Sequence, residues 1–375
     1  MKHRVVSSII ILISLALWAA GANALSGTNI SSTLEDSSSP VIAIDKAGTI
    51  YAVWEEGNNL YYNYKTDGGW LTAPIFLSPG LAPSLAAGND GTLHLVWADY
   101  SFSEENYEIY YTRRTDTGWD AARNVSSTSD NSSAPDIAIG PDGLAHVVWF
   151  EPTLVYYGVI DDLGNITTTF ISNSLNGQAP AIAVSSDGTP YVVWQAPDED
   201  TGKFEIFYSY YDGTNWSLPQ DISQTPDVDS ISPDITVTPQ GRVYIAWVEG
   251  TQLYYRSGGS QGWGPSIPLS TGQASAPSIA TDSQGMVHIL WNEQDASGYR
   301  LVYGWGLEGV LARANVLVNS STPIAEGALY PVSSGDTLNI HIVWSAQADS
   351  GFYDIFYGLH TWTLNKVFLP VVLRG

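Results

Sequence analysis

Cysteine is absent from the 375-residue sequence. A chain without cysteine forms no disulfides and offers no thiol for the lipid attachment that anchors lipoproteins. The stability of an exported protein of this kind therefore depends on its hydrophobic core. The length is sufficient for one large core or for two ordinary domains.

Basic residues are scarce, because 14 lysines and arginines stand against 38 aspartates and glutamates, for a net charge of −24. Such a surface repels phosphate backbones and anionic lipid headgroups. The composition therefore argues against nucleic acid and membrane surfaces as partners. It is compatible with carbohydrates, cations and basic extracellular proteins, and it also keeps an exported protein soluble.

Long apolar runs are missing as well, except for one from Val5 to about Ala20. A basic start precedes this run and the small-residue site Ala22-Asn23-Ala24 follows it, which is the pattern of a secretory signal peptide. A membrane anchor would need a longer run. We expect residues 1–24 to be removed and the mature chain, residues 25–375, to be secreted or held at the cell surface.

The sequence does contain a repeat. Seven segments share an apolar strand that ends in tryptophan, as in TIYAVW and LAHVVW. Most follow a Pro-x-Ile-Ala type strand and a glycine turn, and most precede an aromatic strand such as LYYNY, a Gly-Trp turn and a polar-ended strand. Shorter and longer spacings alternate between the tryptophans, as if a pair of units had been duplicated. The tryptophans are Trp54, Trp97, Trp149, Trp194, Trp247, Trp291 and Trp344.

Each unit has four short segments rich in β-branched and aromatic residues, without helical periodicity. Gly91, Gly143 and Gly188 follow aspartate where a tight hairpin needs a positive φ. Four strands in a unit of this size are typical of a propeller blade. The sequence therefore predicts an all-β fold, a single seven-bladed β-propeller of four-stranded antiparallel blades.

Two segments are candidates for the strand that closes the ring. Residues 29–32 resemble the fourth-strand pattern of residues 124–127, so the N-terminus can complete blade 7. The segment from Trp362 to Leu369 also has the character of a fourth strand. We favour closure by the N-terminal strand.

Four of the six histidines occupy one repeat position, three residues before the tryptophan. They are His94, His146, His288 and His341, and tyrosine fills this position in the other three blades. Both residue types have an aromatic body and a polar tip that can bond the backbone of a neighbouring blade. Equivalent positions around a ring are too far apart to share one metal ion, so we expect these histidines to be structural.

The second-to-third loops and the blade-to-blade links share one face of a propeller, and here the loops are long in alternate blades. Faces with variable loops commonly bind ligands. The second residue after the repeat tryptophan opens this face and is acidic in five of seven blades. A ring of carboxylates at the channel mouth suits a cation or sugar hydroxyls. With residues of the adjoining loops, the predicted ligand-binding set is Glu56, Asp99, Glu151, Glu249, Glu293, Tyr100, Tyr107 and Arg300.

No cofactor is predicted from the sequence. The segment from Asp198 to Gly202 is faintly similar to a calcium loop but lacks the ligand spacing and the closing glutamate of an EF-hand. Calcium is the one metal ion left open, and its ligands are left unassigned.

The short turns Thr66-Asp67-Gly68-Gly69-Trp70 and Thr115-Asp116-Thr117-Gly118-Trp119 resemble shortened Asp-boxes of the sialidase-like (BNR/Asp-box-type) propeller superfamily. The resemblance covers nearly all of the mature chain. It implies a propeller fold and, for a working sialidase, an arginine triad, because guanidinium groups hold a carboxylate bidentately. Only Arg300 approaches the loop-rich face in this sequence, and the Phe/Tyr-Arg-Ile-Pro segment is missing. The resemblance therefore favours a non-catalytic member.

The aromatic third strands and Gly-Trp turns are also similar in architecture to those of fucose-binding propeller lectins. Those lectins place an arginine and a glutamate between blades. At the corresponding third-strand position this chain has Glu108, Glu205, Arg300 and Asp354, so the arginine does not recur. The likeness is architectural and does not extend to fucose specificity.

Three functions remain open from the sequence. The first is a secreted, non-catalytic recognition module that binds carbohydrate through the loop-rich face. The second is a glycoside hydrolase that uses two face carboxylates such as Glu151 and Glu293, which would need to lie about 5 to 10 Å apart. The third is an extracellular protein-interaction scaffold. Because no unique catalytic constellation is evident, the sequence favours a protein without enzymatic activity.

Overall fold

The computed structural model of the chain describes residues 25–152, 154–171, 176–307 and 309–363. The predicted signal peptide lies outside these residues, and so does the apolar tail from Phe368 to Gly375. Strands and turns account for the regular structure in the described ranges, where no helix has the length and apolarity needed to cross a membrane.

The strands form seven antiparallel sheets, which we number as blades 1 to 7 in the order of their tryptophans. Blades 1 and 2 each have a fourth strand split into two short segments. Their strands are β2 (Ser37–Ile44), β3 (Ile50–Glu56), β4 (Asn59–Thr66), β5 (Gly69–Trp70) and β6 (Ile75–Pro79), then β7 (Leu81–Ala87), β8 (Leu93–Ser101), β9 (Asn106–Thr115), β10 (Gly118–Trp119) and β11 (Arg123–Asn124).

Blades 3, 4 and 5 each contain four strands in sequential order. Blade 3 has the longest fourth strand of the three, whereas those of blades 4 and 5 are very short. The strands are β12 (Ser133–Ile139), β13 (Ala145–Glu151), β14 (Leu154–Ile160) and β15 (Ile166–Phe170), then β16 (Gln178–Val184), β17 (Pro190–Pro197), β18 (Phe204–Tyr210) and β19 (Gln220–Asp221), and then β20 (Ser230–Val237), β21 (Val243–Glu249), β22 (Gln252–Gly258) and β23 (Ile267–Pro268).

Blades 6 and 7 have the longest strands. Blade 7 takes its fourth strand, β1 (Thr28–Asn29), from the other end of the chain. The remaining strands are β24 (Gln273–Thr281), β25 (Val287–Asp295), β26 (Gly298–Leu307) and β27 (Val310–Ser320) of blade 6, and β28 (Ile324–Ser334), β29 (Thr337–Gln347) and β30 (Tyr353–Thr363) of blade 7.

The first strand of every blade lies next to the first strands of both neighbouring blades. These contacts run from β2 to β7 and on around the ring until β28 meets β2 again. The first strands therefore surround a central channel, and the later strands of each blade extend outward. The predicted seven-bladed β-propeller of four-stranded blades is confirmed.

The N-terminal strand closes the ring, as favoured from the sequence. Thr28 and Asn29 pair with Tyr357 and Phe356 of β30, and the Ile30 amide donates to the Ile355 carbonyl at 2.8 Å. The alternative assignment of Trp362 to a fourth strand is wrong, because this residue extends the third strand β30 and pairs with β29. Thr363 belongs to the same strand, and residues 364–369 of that alternative segment lie outside the described residues.

The repeat tryptophans form the core between adjacent blades. Each is at most 3% exposed, and most stack on the aromatic residue directly opposite on the third strand. The rings of Trp149 and Tyr156, for example, lie 5.6 Å apart at 14°. Trp149 also packs in one cluster with Val96 and Ile109 of the preceding blade. The tryptophans thus hold neighbouring sheets at a fixed separation.

The repeat histidines are structural, but their partner differs from the expected one. His146 Nδ1 lies 2.6 Å from the Tyr157 hydroxyl, which belongs to the third strand of the same blade and not to a neighbouring backbone. The other three make the same contact: His94 with Tyr111, His288 with Tyr303, and His341 with Tyr357. Burial lowers the pKa of His94 and of His341 to about 4, so both rings are neutral in the folded protein at neutral pH.

The face opposite the second-to-third loops carries two kinds of turn: the glycine turns between the first and second strands, and the Gly-Trp turns between the third and fourth strands. Gly91, Gly143 and Gly188 have φ of 87°, 84° and 87°, so the predicted glycine requirement is confirmed. The tryptophans of the Gly-Trp turns contact the preceding blade. Trp216 of blade 4, for instance, meets Tyr157 of blade 3 edge-on, with ring centroids 5.0 Å apart. The Gly-Trp turns therefore fasten adjacent blades at their outer edges.

Candidate functional site

The long loops of the loop-rich face are largely extensions of the second and third strands. In blade 2, β8 continues to Ser101 and β9 begins at Asn106, so only a four-residue tip from Phe102 to Glu105 projects. In blades 1, 3 and 5 the same strands join by a much shorter turn. The hairpin tips of the longer blades therefore project above this face.

Every blade carries a carboxylate at one rung of its second and third strands. In blades 1, 3, 5 and 6 the acid lies on the second strand, two residues after the tryptophan. In blade 4, Ala196 takes that place and the acid is Glu205, directly opposite on the third strand. Blades 2 and 7 also use the third strand. The seven are Glu56, Glu108, Glu151, Glu205, Glu249, Glu293 and Asp354, and all except Glu249 are buried.

Most of these carboxylates bond the chain where it passes from one blade to the next, whereas Glu249 accepts from Trp247 Nε1 of its own strand. Glu151 accepts from Trp149 Nε1 at 2.9 Å and from the Ser132 hydroxyl, just before β12, at 3.2 Å. Glu108 accepts from the Ser126 hydroxyl and from the Thr128 amide. Because residues i and i+2 share a face of a strand, a glutamate two residues after tryptophan lies against its indole N–H. We call these seven residues the link carboxylates.

Burial raises the pKa of several link carboxylates, among them Glu56, Glu151 and Glu205. Hydrogen bonds from Trp149 and from serine and threonine hydroxyls oppose this effect, because they stabilise the charged form. The equivalence of the third-strand acids Glu108 and Glu205 to the second-strand acids was not predicted from the sequence. The signal was available, because blade 4 has alanine on the second strand and an acid directly opposite.

The predicted glutamates are therefore placed differently from the expected exposed ring at the channel mouth. Glu56, Glu151 and Glu293 are 7%, 3% and 1% exposed, and Glu249 is half-buried. All four lie on second strands, one strand away from the channel. Glu151 and Glu293 lie on blades 3 and 6, which do not adjoin, so the structure does not bring this pair together.

The predicted Arg300 lies on the third strand of blade 6 and is held by two acids. Its Nη2 atom is 3.3 Å from Glu293 Oε2, directly across the strand pair, and it also contacts Asp295. The side chain is only 18% exposed. Arg300 thus neutralises acidic residues at the base of the blade 6 hairpin.

Three aromatic side chains cluster on the blade 2 hairpin. Tyr100 and Tyr107 are directly opposite each other and are 39% and 37% exposed, whereas Phe102 at the tip is 89% exposed. The Tyr100 ring lies 5.3 Å from Phe102 and 5.6 Å from Tyr107, edge-on in both cases. We call these three residues the loop-face aromatic cluster. Its two tyrosines belong to the predicted ligand-binding set, whereas Phe102 does not.

The hairpin beneath this cluster is fixed to the link between blades 2 and 3. Asn106 donates from Nδ2 to the carbonyls of Thr128 and Asp130 at 2.9 and 2.7 Å, and the Tyr107 amide donates to Asn131 Oδ1 at 2.9 Å. These bonds leave the hairpin little freedom to bend. The aromatic surface is therefore preorganised, which reduces the entropic cost of binding.

Three carboxylates belong to the same hairpin as the cluster. Asp99, also in the predicted set, is half-buried, accepts from the Tyr100 amide at 2.8 Å, and has a pKa raised by burial. Glu104 and Glu105 are exposed at the hairpin tip. Aromatic faces bind apolar surfaces, and carboxylates accept hydrogen bonds from hydroxyl groups. The combination suits a ligand with one apolar face and several hydroxyls.

Two carboxylates on the channel-lining strands were missed in the sequence analysis. Asp136 accepts from the Ser84 hydroxyl and the Ile182 amide at 2.7 and 2.8 Å, and so bridges blades 2, 3 and 4. Asp234 accepts from the Ile279 amide at 2.8 Å. Burial, followed by the negative charge of Asp136, raises the pKa of Asp234 to about 7. Their bonds to neighbouring first strands support the ring.

No three histidine, aspartate or glutamate side chains converge on a metal-sized site within the described ranges. In the predicted calcium-like loop, Asp198 accepts from the Asp200 and Thr201 amides at 3.1 and 2.9 Å. That carboxylate therefore caps its own turn. The structure does not assemble a calcium ligand set there.

No protein-family model matches the sequence, and no curated protein matches it either. Several solved structures are similar in fold. A Dyadobacter fermentans protein of unknown function has a TM-score of 0.57 at 13% identity, and the match covers 91% of this chain and 99% of that one. A PL25 ulvan lyase bound to -[GlcA(1-4)Rha3S]- has a TM-score of 0.63 at 9% identity, with 90% and 96% covered.

A third similar structure is the α-L-arabinofuranosidase Arb93A from Fusarium graminearum, with a TM-score of 0.51 at 12% identity. That match covers 75% of this chain and 92% of the enzyme. At such low identities these similarities show a shared fold. The fold is thus one that carbohydrate-active proteins use.

Proposed function

We propose that this chain is a secreted, non-catalytic carbohydrate-recognition module that binds glycans with the loop-face aromatic cluster. One observation carries the proposal. Tyr100, Phe102 and Tyr107 present three adjoining rings to solvent on a hairpin that Asn106 and Asn131 hold in place. Exposed aromatic groups of this kind on a fixed scaffold mark a binding surface.

The charges around the cluster favour a neutral glycan. Asp99, Glu104 and Glu105 belong to the same hairpin as the rings, and the whole chain carries a net charge of −24. Uronates and sulfated sugars would meet repulsion there, whereas hydroxyl groups find acceptors. In this respect the proposed ligand differs from the acidic, sulfated disaccharide unit bound by the PL25 lyase.

The remaining predicted residues have supporting roles in this proposal. Glu56, Glu151 and Glu293 fix the links, and half-buried Glu249 accepts from Trp247 Nε1 at 3.3 Å. Arg300 forms ion pairs with Glu293 and Asp295 in blade 6. The two similar structures named as a polysaccharide lyase and an arabinofuranosidase add support for a carbohydrate partner.

A glycan array probed with the mature protein, with and without calcium, tests the proposal. We expect retention of neutral glycans, lost in the double variant Tyr100→Ala/Phe102→Ala. Phe76→Ala is the matched control, because Phe76 is 52% exposed on the fourth strand of blade 1, far along the chain from the cluster. Loss of binding only when calcium is removed would assign the metal ion a role.

Three results would overturn the proposal. They are the absence of any retained glycan, equal retention by the double variant, and cleavage of a retained glycan. Cleavage would favour the glycoside hydrolase alternative. Copurification of a stable protein partner with no glycan retained would favour the scaffold alternative.

A further inference from the structure

A groove of about 590 Å³ lies between the outer parts of blades 3 and 4, on the side of the Gly-Trp turns. Tyr157, Thr167, Thr169 and Phe170 of blade 3 form one wall. The turn from Tyr211 to Trp216 of blade 4 forms the other. The volume is within the range of small-ligand sites, which is about 300 to 1,000 Å³.

The groove exists because the two blades end differently. The fourth strand of blade 3 pairs along residues 166–170, so it continues outward as a full wall. The fourth strand of blade 4 contains only Gln220 and Asp221 and leaves the space beside the turn open. Neighbouring blades of unequal width thus create an open-sided groove on the rim of the disc.

The blade 3 wall combines an aromatic ring with threonine hydroxyls. Thr169 is directly opposite Tyr157 on the adjoining strand, and Thr167 is opposite Val159, so these four side chains share the face that packs towards blade 4. Phe170 borders the groove at the end of the strand, but it is paired with Tyr156, on the face towards blade 2. The wall therefore offers the Thr167 and Thr169 hydroxyls, which donate and accept hydrogen bonds, and the aromatic surface comes from Tyr157 and from the blade 4 turn.

The blade 4 wall is rigid. Asp212 Oδ1 accepts from the Thr214 and Asn215 amides, both at 2.8 Å, and closes the turn. The Tyr211 and Trp216 rings lie 5.8 Å apart, and Trp216 packs edge-on against Tyr157 across the groove. The walls are thus fixed relative to each other.

Charge is missing from the groove, since all nine lining residues are aromatic, aliphatic, threonine or asparagine. An anion or a cation would find no counter-charge there. A purely apolar ligand would leave the threonine and asparagine groups without partners. A neutral sugar satisfies both kinds of group, because its C–H face stacks on a ring while its hydroxyls bond threonine and asparagine.

We propose that this blade 3/4 groove is a second glycan site, which takes a neutral oligosaccharide of two or three residues. Tyr211 stacks on a sugar ring, and Thr167, Thr169 and Asn215 bond its hydroxyls. The site is on the opposite side of the disc from the loop-face aromatic cluster and shares no residue with it. Two separated sites would increase avidity for a polymeric glycan.

Ligand-observed saturation-transfer NMR tests the groove with four neutral probes: cellotriose, xylotriose, mannotriose and galactotriose. Trigalacturonate serves as an anionic comparison. All titrations use protein that carries Tyr100→Ala/Phe102→Ala, so that the loop-face cluster contributes nothing. Failure of the first proposal therefore leaves this test intact.

We expect at least one neutral probe to bind, and Tyr211→Ala to weaken it about 10-fold or more. Phe76→Ala is the control, because Phe76 is an exposed aromatic residue of blade 1 that does not line the groove. The isosteric pair Thr167→Val/Thr169→Val should weaken binding while leaving Tm unchanged. Equal affinity in the Tyr211 and Phe76 variants, stronger binding of trigalacturonate, or no binding of any neutral probe would overturn the proposal.

Discussion

At the scale of single residues, a carboxylate at one rung of most blades bonds the link to a neighbouring blade: Glu151 bonds the link that enters its blade, and Glu205 bonds the link that leaves its blade. The chain supplies it from the second strand, as at Glu151, or from the third, as at Glu205. Burying a carboxylate is unfavourable unless it is hydrogen-bonded, and these acids accept bonds from serine and threonine groups of the links. The sequence indicates where an acid recurs, but the link that each acid bonds is seen only in the structure.

Replacing Glu151 with alanine should lower the free energy of unfolding by about 1 to 3 kcal/mol. The Trp149 N–H and the Ser132 hydroxyl would then be buried without their acceptor. Asp99→Ala is the control at the same rung, because Asp99 is half-buried and bonds only the next amide; it should cost about 0.5 kcal/mol or less. Urea unfolding measures both values. Equal effects would contradict the structural role of the link carboxylates.

The His94–Tyr111 pair predicts a specific pH dependence. The pKa of His94 is about 4 in the fold, below its ordinary value of 6.5, because burial disfavours the charged ring. A lowered pKa means that the stabilising contribution is complete above pH 6.5 and is lost as the pH falls towards 4. The loss across this window is about 3 kcal/mol.

His94→Phe removes this titration and leaves the Tyr111 hydroxyl without its partner. The variant should be less stable than the parent at pH 7 by about 1 to 3 kcal/mol. As the pH falls from 6.5 to 4, the difference should shrink or reverse, because only the parent loses the histidine contribution. Urea unfolding at a series of pH values measures it. A constant difference would show that His94 does not titrate as its burial requires.

At the scale of the element, the N-terminal strand is the closing piece of the ring. Ile30 is 4% exposed, and Asn29 and Ser31 donate to the Asp354 carboxylate at 2.8 and 3.1 Å. Ile30→Asp should lower the free energy of unfolding by about 3 kcal/mol or more, because it buries an unpaired charge. Leu34→Asp, four residues on and at a position that is 81% exposed, should change it by about 0.5 kcal/mol or less.

Deleting residues 25–32 extends this test to the whole strand. The deletion should lower Tm, and a synthetic peptide of residues 25–34 added in trans should restore part of the loss by pairing with β30. Calorimetry measures both changes. An unchanged Tm after deletion would contradict closure by the N-terminal strand.

Elements were the part of this protein that the sequence predicted best. The repeat tryptophans, the glycine turns and the N-terminal closing strand each depend on a local pattern that recurs in several blades, and repetition makes such patterns visible. The hydrogen-bond partners of individual side chains were harder to predict from the sequence. The histidines pair with tyrosines of their own blade, and the glutamates turn inward to the links, because these contacts depend on distances between strands that no single repeat encodes.

At the scale of the whole molecule, the net charge of −24 should disfavour acidic glycans and leave the binding of neutral glycans unaffected. Retention of a neutral polysaccharide should be unchanged when the Debye length falls from about 30 Å to about 3 Å with added salt. An acidic polysaccharide such as polygalacturonate should not be retained at low salt, where repulsion is strongest. Affinity electrophoresis in gels that contain each polymer measures both. Tight, salt-sensitive retention of the acidic polymer would contradict the account.

The blade 3/4 groove also belongs to this scale, and the sequence did not reveal it. It arises from the unequal width of two neighbouring blades, and its walls come from residues about 40 to 60 positions apart in the chain. Thr167 and Thr169 occupy alternate positions of an ordinary outer strand. Only the position of the next blade turns this strand into the wall of a groove.

The most direct test of glycan recognition at the loop-rich face is a calorimetric titration of one glycan retained on the array, with the sample afterwards analysed for cleavage products. We predict that Tyr100→Ala/Phe102→Ala weakens the affinity about 10-fold or more, that Phe76→Ala leaves it unchanged, and that the glycan is recovered intact. Unchanged affinity in the double variant, or recovery of shortened glycan, would contradict the account.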